Sequence, residues 1–83
     1  MNKLLVIVYV PILEQHFDVF IPINKKINDI LKLLSKTIYQ LSNETFEVSG
    51  NLNLINKKTG NYYDLNIVVI DTDIKNGTEL ILI

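Results

Sequence analysis

The sequence predicts an α+β domain: a mixed sheet of four to five strands packed on one long helix. Three observations lead there. Residues 3–10 and 17–21 are short β-type runs separated by a Pro-initiated connection. Residues 25–42 switch to a helical period, and the chain closes on a second wholly apolar run, Leu80-Ile81-Leu82-Ile83. One amphipathic helix has one face to bury and one sheet has one face to cover it, so the economical arrangement is a single helix laid across the sheet.

The first run, Leu4-Leu5-Val6-Ile7-Val8-Tyr9-Val10, is apolar at both parities, as in a strand covered on both faces. Behind Met1-Asn2-Lys3 it superficially resembles a secretion signal. It is read instead as a buried strand, because Pro11 ends it and no small-residue cleavage site follows. It is also far short of the roughly 20 residues of a membrane span, so no membrane insertion is expected. Residues 11–15 connect it to Phe17-Asp18-Val19-Phe20-Ile21, a partly alternating strand closed by Pro22; the two form a hairpin. Asn24 is the expected helix N-cap. Ile27, Ile30, Leu31, Leu34, Ile38 and Leu41 then share one arc about 100° wide, opposite Lys25, Asp29, Lys32, Lys36 and Gln40. A helix over 25–42 is about 27 Å long.

Residues 43–50 read as an irregular link or weak extended piece, Leu52–Asn56 as a strand, 57–61 as a turn with Gly60 at positive φ, and Tyr62–Leu65 as a short returning strand. Ile67-Val68-Val69-Ile70 fits either a strand or a buried loop. Asp71–Lys75 reads as a capped turn, Asn76-Gly77 as a tight turn, and 79–83 as the last strand. That strand is expected beside the first, with both central.

Composition restricts the chemistry. The chain has 83 residues, 48% hydrophobic and 20% charged, one domain over 1–83. It contains no Cys, and its one histidine, His16, leaves no metal-ligand or catalytic set. No cofactor, metal or catalytic residue is therefore expected, and the protein reads as a non-enzyme. Asp64, Asp71 and Asp73 resemble acid–base carboxylates or a calcium loop, but Gly77 falls one place late and Leu82 stands where the loop needs Glu. Ser35, Ser42 and Ser49 have no base nearby in sequence. Net charge is −1, with eight lysines and no arginine, which argues against nucleic acid. Residues 1–42 hold five lysines against three acids and 43–83 three against six, read as two differently charged solvated faces. The chain lacks alanine and has 13 Ile and 10 Asn, the signature of an A/T-rich genome.

The element order is that of the β-grasp, and particular residues resemble the ubiquitin superfamily. Val69, Ile74, Gly77, Leu80 and Leu82 match the closing pattern L-x-x-x-x-I-x-x-G-x-x-L-x-L, with Val69 in place of Leu. Within that superfamily Phe17-Asp18-Val19-Phe20-Ile21, Lys25-Lys26-Ile27-Asn28-Asp29-Ile30 and Ile74-Lys75-Asn76-Gly77-Thr78-Glu79-Leu80 resemble the YukD/EsaB-like proteins. The resemblance implies a small cytoplasmic protein of Gram-positive bacteria, linked to type VII (WXG100) secretion, with a secretion-system component as partner. The ending Leu80-Ile81-Leu82-Ile83 lacks the Gly-Gly on which conjugation and sulfur transfer depend in that superfamily, so neither is expected. A sulfur carrier or modifier is the disfavoured alternative, and a ubiquitin-like adaptor unrelated to secretion is another.

The apolar excess points to a binding face. With Phe17, Val19, Ile21, Leu80 and Leu82 turned to the helix, Phe20, Ile81 and Ile83 face outward. If Leu5, Ile7 and Tyr9 also point inward, then Leu4, Val6, Val8 and Val10 join the outer face. These seven residues are the expected protein-binding site, for a protein partner or a homodimer, unless residues 66–74 fold over them or the register differs.

Overall fold

The computed structural model describes residues 2–46 and 51–83. Four strands and one helix follow in order: β1 (Lys3–Val10), β2 (Gln15–Pro22), α1 (Ile27–Leu41), β3 (Leu54–Asn56) and β4 (Glu79–Leu82). The sheet order is β2-β1-β4-β3. β1 runs antiparallel to β2 and parallel to β4, so the two most apolar strands are central. This is the expected β-grasp architecture.

A four-residue connection joins β1 to β2. Pro11–Leu13 make one 3₁₀ turn, Glu14 takes the left-handed conformation (φ 52°), and its N–H donates to the Pro11 carbonyl at 3.0 Å. Val10 therefore pairs with Gln15, and even residues of β1 oppose odd residues of β2: Leu4 with Ile21, Val6 with Val19, Val8 with Phe17. Opposed residues share a face.

That register corrects the face assigned to β1. Val6, Val8 and Val10 are fully buried beneath the helix, and Leu4 is half-buried against the same core. Leu5, Ile7 and Tyr9 take the outer face instead. The opposite parity would turn Ile7's row inward, and that row carries Asp18 on β2 and Glu79 on β4. Burying two carboxylates costs far more than Leu5, Ile7 and Tyr9 would gain by turning inward.

The helix buries Ile27, Ile30, Leu31, Leu34 and Ile38 as its period predicts. Leu41 departs from the expectation and is exposed. The helix ends there, the chain reverses through Asn43 and Glu44 at φ 56° and 65°, and Phe46 is buried in the core. The N-cap is Lys26, not Asn24, and no side chain caps it. Backbone carbonyls do so from afar: Ile27 N–H donates to Ile67 C=O at 2.9 Å and Asn28 N–H to Leu65 C=O at 3.0 Å. Residues 66–71 thus lie at the start of the helix, through a bridge between Lys26 and Val68 and a 3₁₀ turn over Val69–Asp71, not over the outer face.

Residues 62–65 form no strand; Tyr62 makes a single bridge to Ile55. Strand β3 is shorter than the expected 52–56. Of the link over 43–50, residues 47–50, and with them Ser49, lie outside the described residues.

Val8→Lys should lose at least about 3 kcal/mol in urea unfolding, while Ile7→Lys should stay within about 1 kcal/mol of wild type; equal losses would contradict the parity. Replacing Glu14 or Glu44 by Gly should raise stability by about 0.5–1 kcal/mol, since glycine adopts the left-handed region without the Cβ clash.

Candidate functional site

The outer face is built in rows by the register. One row holds Phe20 and Leu5; the next Asp18, Ile7 and Glu79; the next His16, Tyr9, Ile81 and Ile55. Ile83 continues this face two residues beyond Ile81, and its N–H and C=O both bond to Asn53. Phe20 and Ile83 are 57% and 46% exposed, which makes them, with Leu5, the open apolar part of the face. Ile7, Tyr9 and Ile81 are half-buried, and Ile55 is covered.

Of the seven residues expected here, the structure brings together Phe20, Ile81 and Ile83. It sends Leu4, Val6, Val8 and Val10 to the core side. In their place come Leu5, Ile7 and Tyr9, which the hairpin loop length would have assigned: four residues between paired positions 10 and 15 put opposite parities on one face.

Polar groups divide the face. The Tyr9 ring lies 4.7 Å from the His16 ring, tilted by 40°, and Lys57 Nζ sits 5.6 Å from the Tyr9 centroid. Lys57 also approaches Glu79 Oε2 at 3.6 Å. This exposed pair contributes little stability, yet it holds a cation over the aromatic ring. Asp18 is left as the face's unpaired carboxylate among the described residues.

The three aspartates singled out by sequence do not assemble. Asp64 Oδ1 accepts from Asn66 N–H at 2.8 Å, and Asp73 Oδ1 accepts from the Tyr63 hydroxyl at 2.6 Å. The turn at 71–75 is capped by Thr72, whose hydroxyl donates to Val69 C=O and accepts from Ile74 N–H. Among the described residues no group of three or more His, Asp and Glu lies close enough to hold a metal ion. A polar groove between turn 57–59 and residues 73–79 contains Lys57, Lys58 and Lys75, offset by Asp73 and Glu79. Ser35 donates to the Leu31 carbonyl and Ser42 to the Tyr39 carbonyl, so both act as local backbone ties. No described helix is long and apolar enough to cross a membrane.

Among the described residues Tyr63 is the one strongly shifted group. Burial, then its hydrogen bond to Asp73, push its phenol up to about 12 from 10.0, against a smaller opposing effect of the bond from Asn56 Nδ2. The fold thus favours the protonated phenol. Its contribution is complete below pH 10 and fades as pH rises through about 12. Ultraviolet titration should show one tyrosinate forming near pH 12, absent in Tyr63→Phe and moved to lower pH in Asp73→Asn.

No protein-family model and no curated protein matches this chain. Solved structures do. The ubiquitin-like domain of the type VII secretion system protein ECCD1 from Mycobacterium tuberculosis superposes with a TM-score of 0.79 at 13% identity, covering 100% of this chain and 99% of that one. The EccD5 ubiquitin-like domain from Mycobacterium xenopi gives 0.72 at 15% identity, over 99% and 93%. The N-terminal ubiquitin-like domain of the 4931431F19Rik protein gives 0.76 at 18% identity, over 99% and 74%. At such identities the likeness carries the fold: this chain has the ubiquitin-like β-grasp fold.

Proposed function

We propose, from the ubiquitin-like fold as premise, that this protein is a non-enzymatic interaction module serving type VII secretion in a Gram-positive bacterium. It acts in the cytoplasm and binds a protein component of the secretion machinery through the outer face of its sheet. The observation that carries this reading is the face itself: Leu5, Phe20 and Ile83 are open, with Ile7, Tyr9 and Ile81 between them. Large apolar side chains gathered on one side of a small domain mark a contact surface. Two of the solved structures it resembles are ubiquitin-like domains of type VII secretion proteins, which supports the choice of machinery. The binding is non-covalent in this reading. Residues 79–83 serve as sheet, paired to β1 and β3, and the contact uses side chains of the face.

The test is affinity capture from the native host with the wild type and with Phe20→Lys/Ile81→Lys. Both positions lie outside the core, so the variant should fold, as circular dichroism will check. Secretion-system components should be enriched by the wild type and reduced about tenfold or more by the double variant, as for central contact residues. Enrichment of no such component, or equal capture by the folded variant, would sink the reading.

A further inference from the structure

The two edges of the sheet are treated differently. Beyond β3 the chain closes its own edge: Asn56 N–H donates to Asn61 C=O at 2.9 Å and Tyr63 N–H to Leu54 C=O at 3.0 Å. Beyond β2 nothing does so among the described residues. In β1 the odd residues turn their backbone groups to the β4 side: Ile7 N–H donates to Thr78 C=O at 3.0 Å, and Leu5 C=O accepts from Gly77 N–H at 2.8 Å. Backbone groups alternate sides along a strand. The even residues of β1 therefore bond β2, and their partners there are odd. The N–H and C=O groups of His16, Asp18 and Phe20 are left pointing off the open edge.

An unpaired strand edge is a template for another strand. We infer that β2 pairs antiparallel with β2 of a second copy, about a two-fold axis at Phe17, giving one continuous sheet of eight strands. Charge selects both the register and the occupant. With Asp18 opposite Asp18, like charges meet. With the axis at Phe17, His16 opposes Asp18 of the other copy, twice by symmetry, on the outer face. Phe17 then meets its own copy on the inner face, and cross-strand aromatic pairs and imidazole–carboxylate pairs are both favourable there. The strand is self-complementary in this one register, which is what an isologous contact needs. The contact is small, so association is weak and concentration-dependent. It uses the strand edge and goes beyond the outer-face reading of function.

Sedimentation equilibrium should show dimer increasing from about 10 μM to about 1 mM, the range of small interfaces. Amide exchange at His16 and Asp18, which oppose each other in this register, should slow in the concentrated wild-type sample, a readout that needs no variant. His16→Asp should weaken dimerisation about tenfold by turning both cross-strand pairs repulsive, and His16→Asp/Asp18→Lys should restore it. Ile81→Lys should leave it unchanged, which separates this contact from binding by the outer face. A monomer throughout, a dimer without protection of these two amides, or indifference to the charge reversal would each overturn the inference.

Discussion

The fold depends on which side of β1 meets the helix. The strand is central, paired to β2 on one side and β4 on the other, so its parity fixes the faces of both neighbours. Each row of the sheet is a single choice. Turning Val8 inward turns Phe17 and Leu80 inward with it; turning Ile7 inward would bring Asp18 and Glu79. Fully burying a valine or leucine is worth about 1.5–3 kcal/mol, and several of them act together here. Burying the two carboxylates has the opposite sign and a larger magnitude. The acids thus settle what the apolar residues of β1 leave undecided.

That balance explains what was legible in the sequence. The helix was legible because Ile27, Ile30, Leu31, Leu34 and Ile38 repeat at the helical period with lysines opposite. The hairpin, the central last strand and the β-grasp order were legible from apolar runs and their Pro and Gly punctuation. The parity of β1 was not, because Leu, Val and Ile occupy both sides of it and a strand taken alone has no preference. Only the row partners and the four-residue loop decide. The helix start was misplaced for a related reason: its cap is the backbone at Leu65 and Ile67, some 40 positions away in the chain. A local cap such as Asn24 leaves a local signal, whereas a carbonyl delivered by tertiary structure leaves none. Of the candidate face, Phe20, Ile81 and Ile83 were readable from alternation, while Leu5, Ile7 and Tyr9 required the register.

The same tertiary capping gives a role to the stretch that was ambiguous between strand and loop. Residues 65–70 supply carbonyls to Ile27 and Asn28, and their own N–H groups at Val69 and Ile70 return to Lys25 and Ile23. They stand in for both an N-cap side chain and a strand. The Asn56–Tyr63–Asp73 chain does comparable work at the far side of the sheet. The buried Asn56 side-chain Oδ1 accepts from the N–H groups of Lys58 and Thr59 while its Nδ2 donates to the Tyr63 hydroxyl. Irregular segments thereby close the helix start and the β3 edge, and among the described residues the sheet's outer face and its β2 edge are left open.

What is left open is not uniformly apolar, and this bears on how selective a contact there would be. A continuous hydrocarbon face would attract any exposed apolar surface. Here Asp18 and the Lys57–Glu79 pair interrupt it, separating Leu5 and Phe20 from Tyr9, Ile81 and Ile83. A partner that places hydrocarbon over the middle row strips water from those charges without replacing its hydrogen bonds. A partner with apolar groups on both sides and a donor aligned to Asp18 avoids that cost. The polar row therefore works against the wrong partner more than it helps the right one, which is how charged groups on a small apolar face confer specificity.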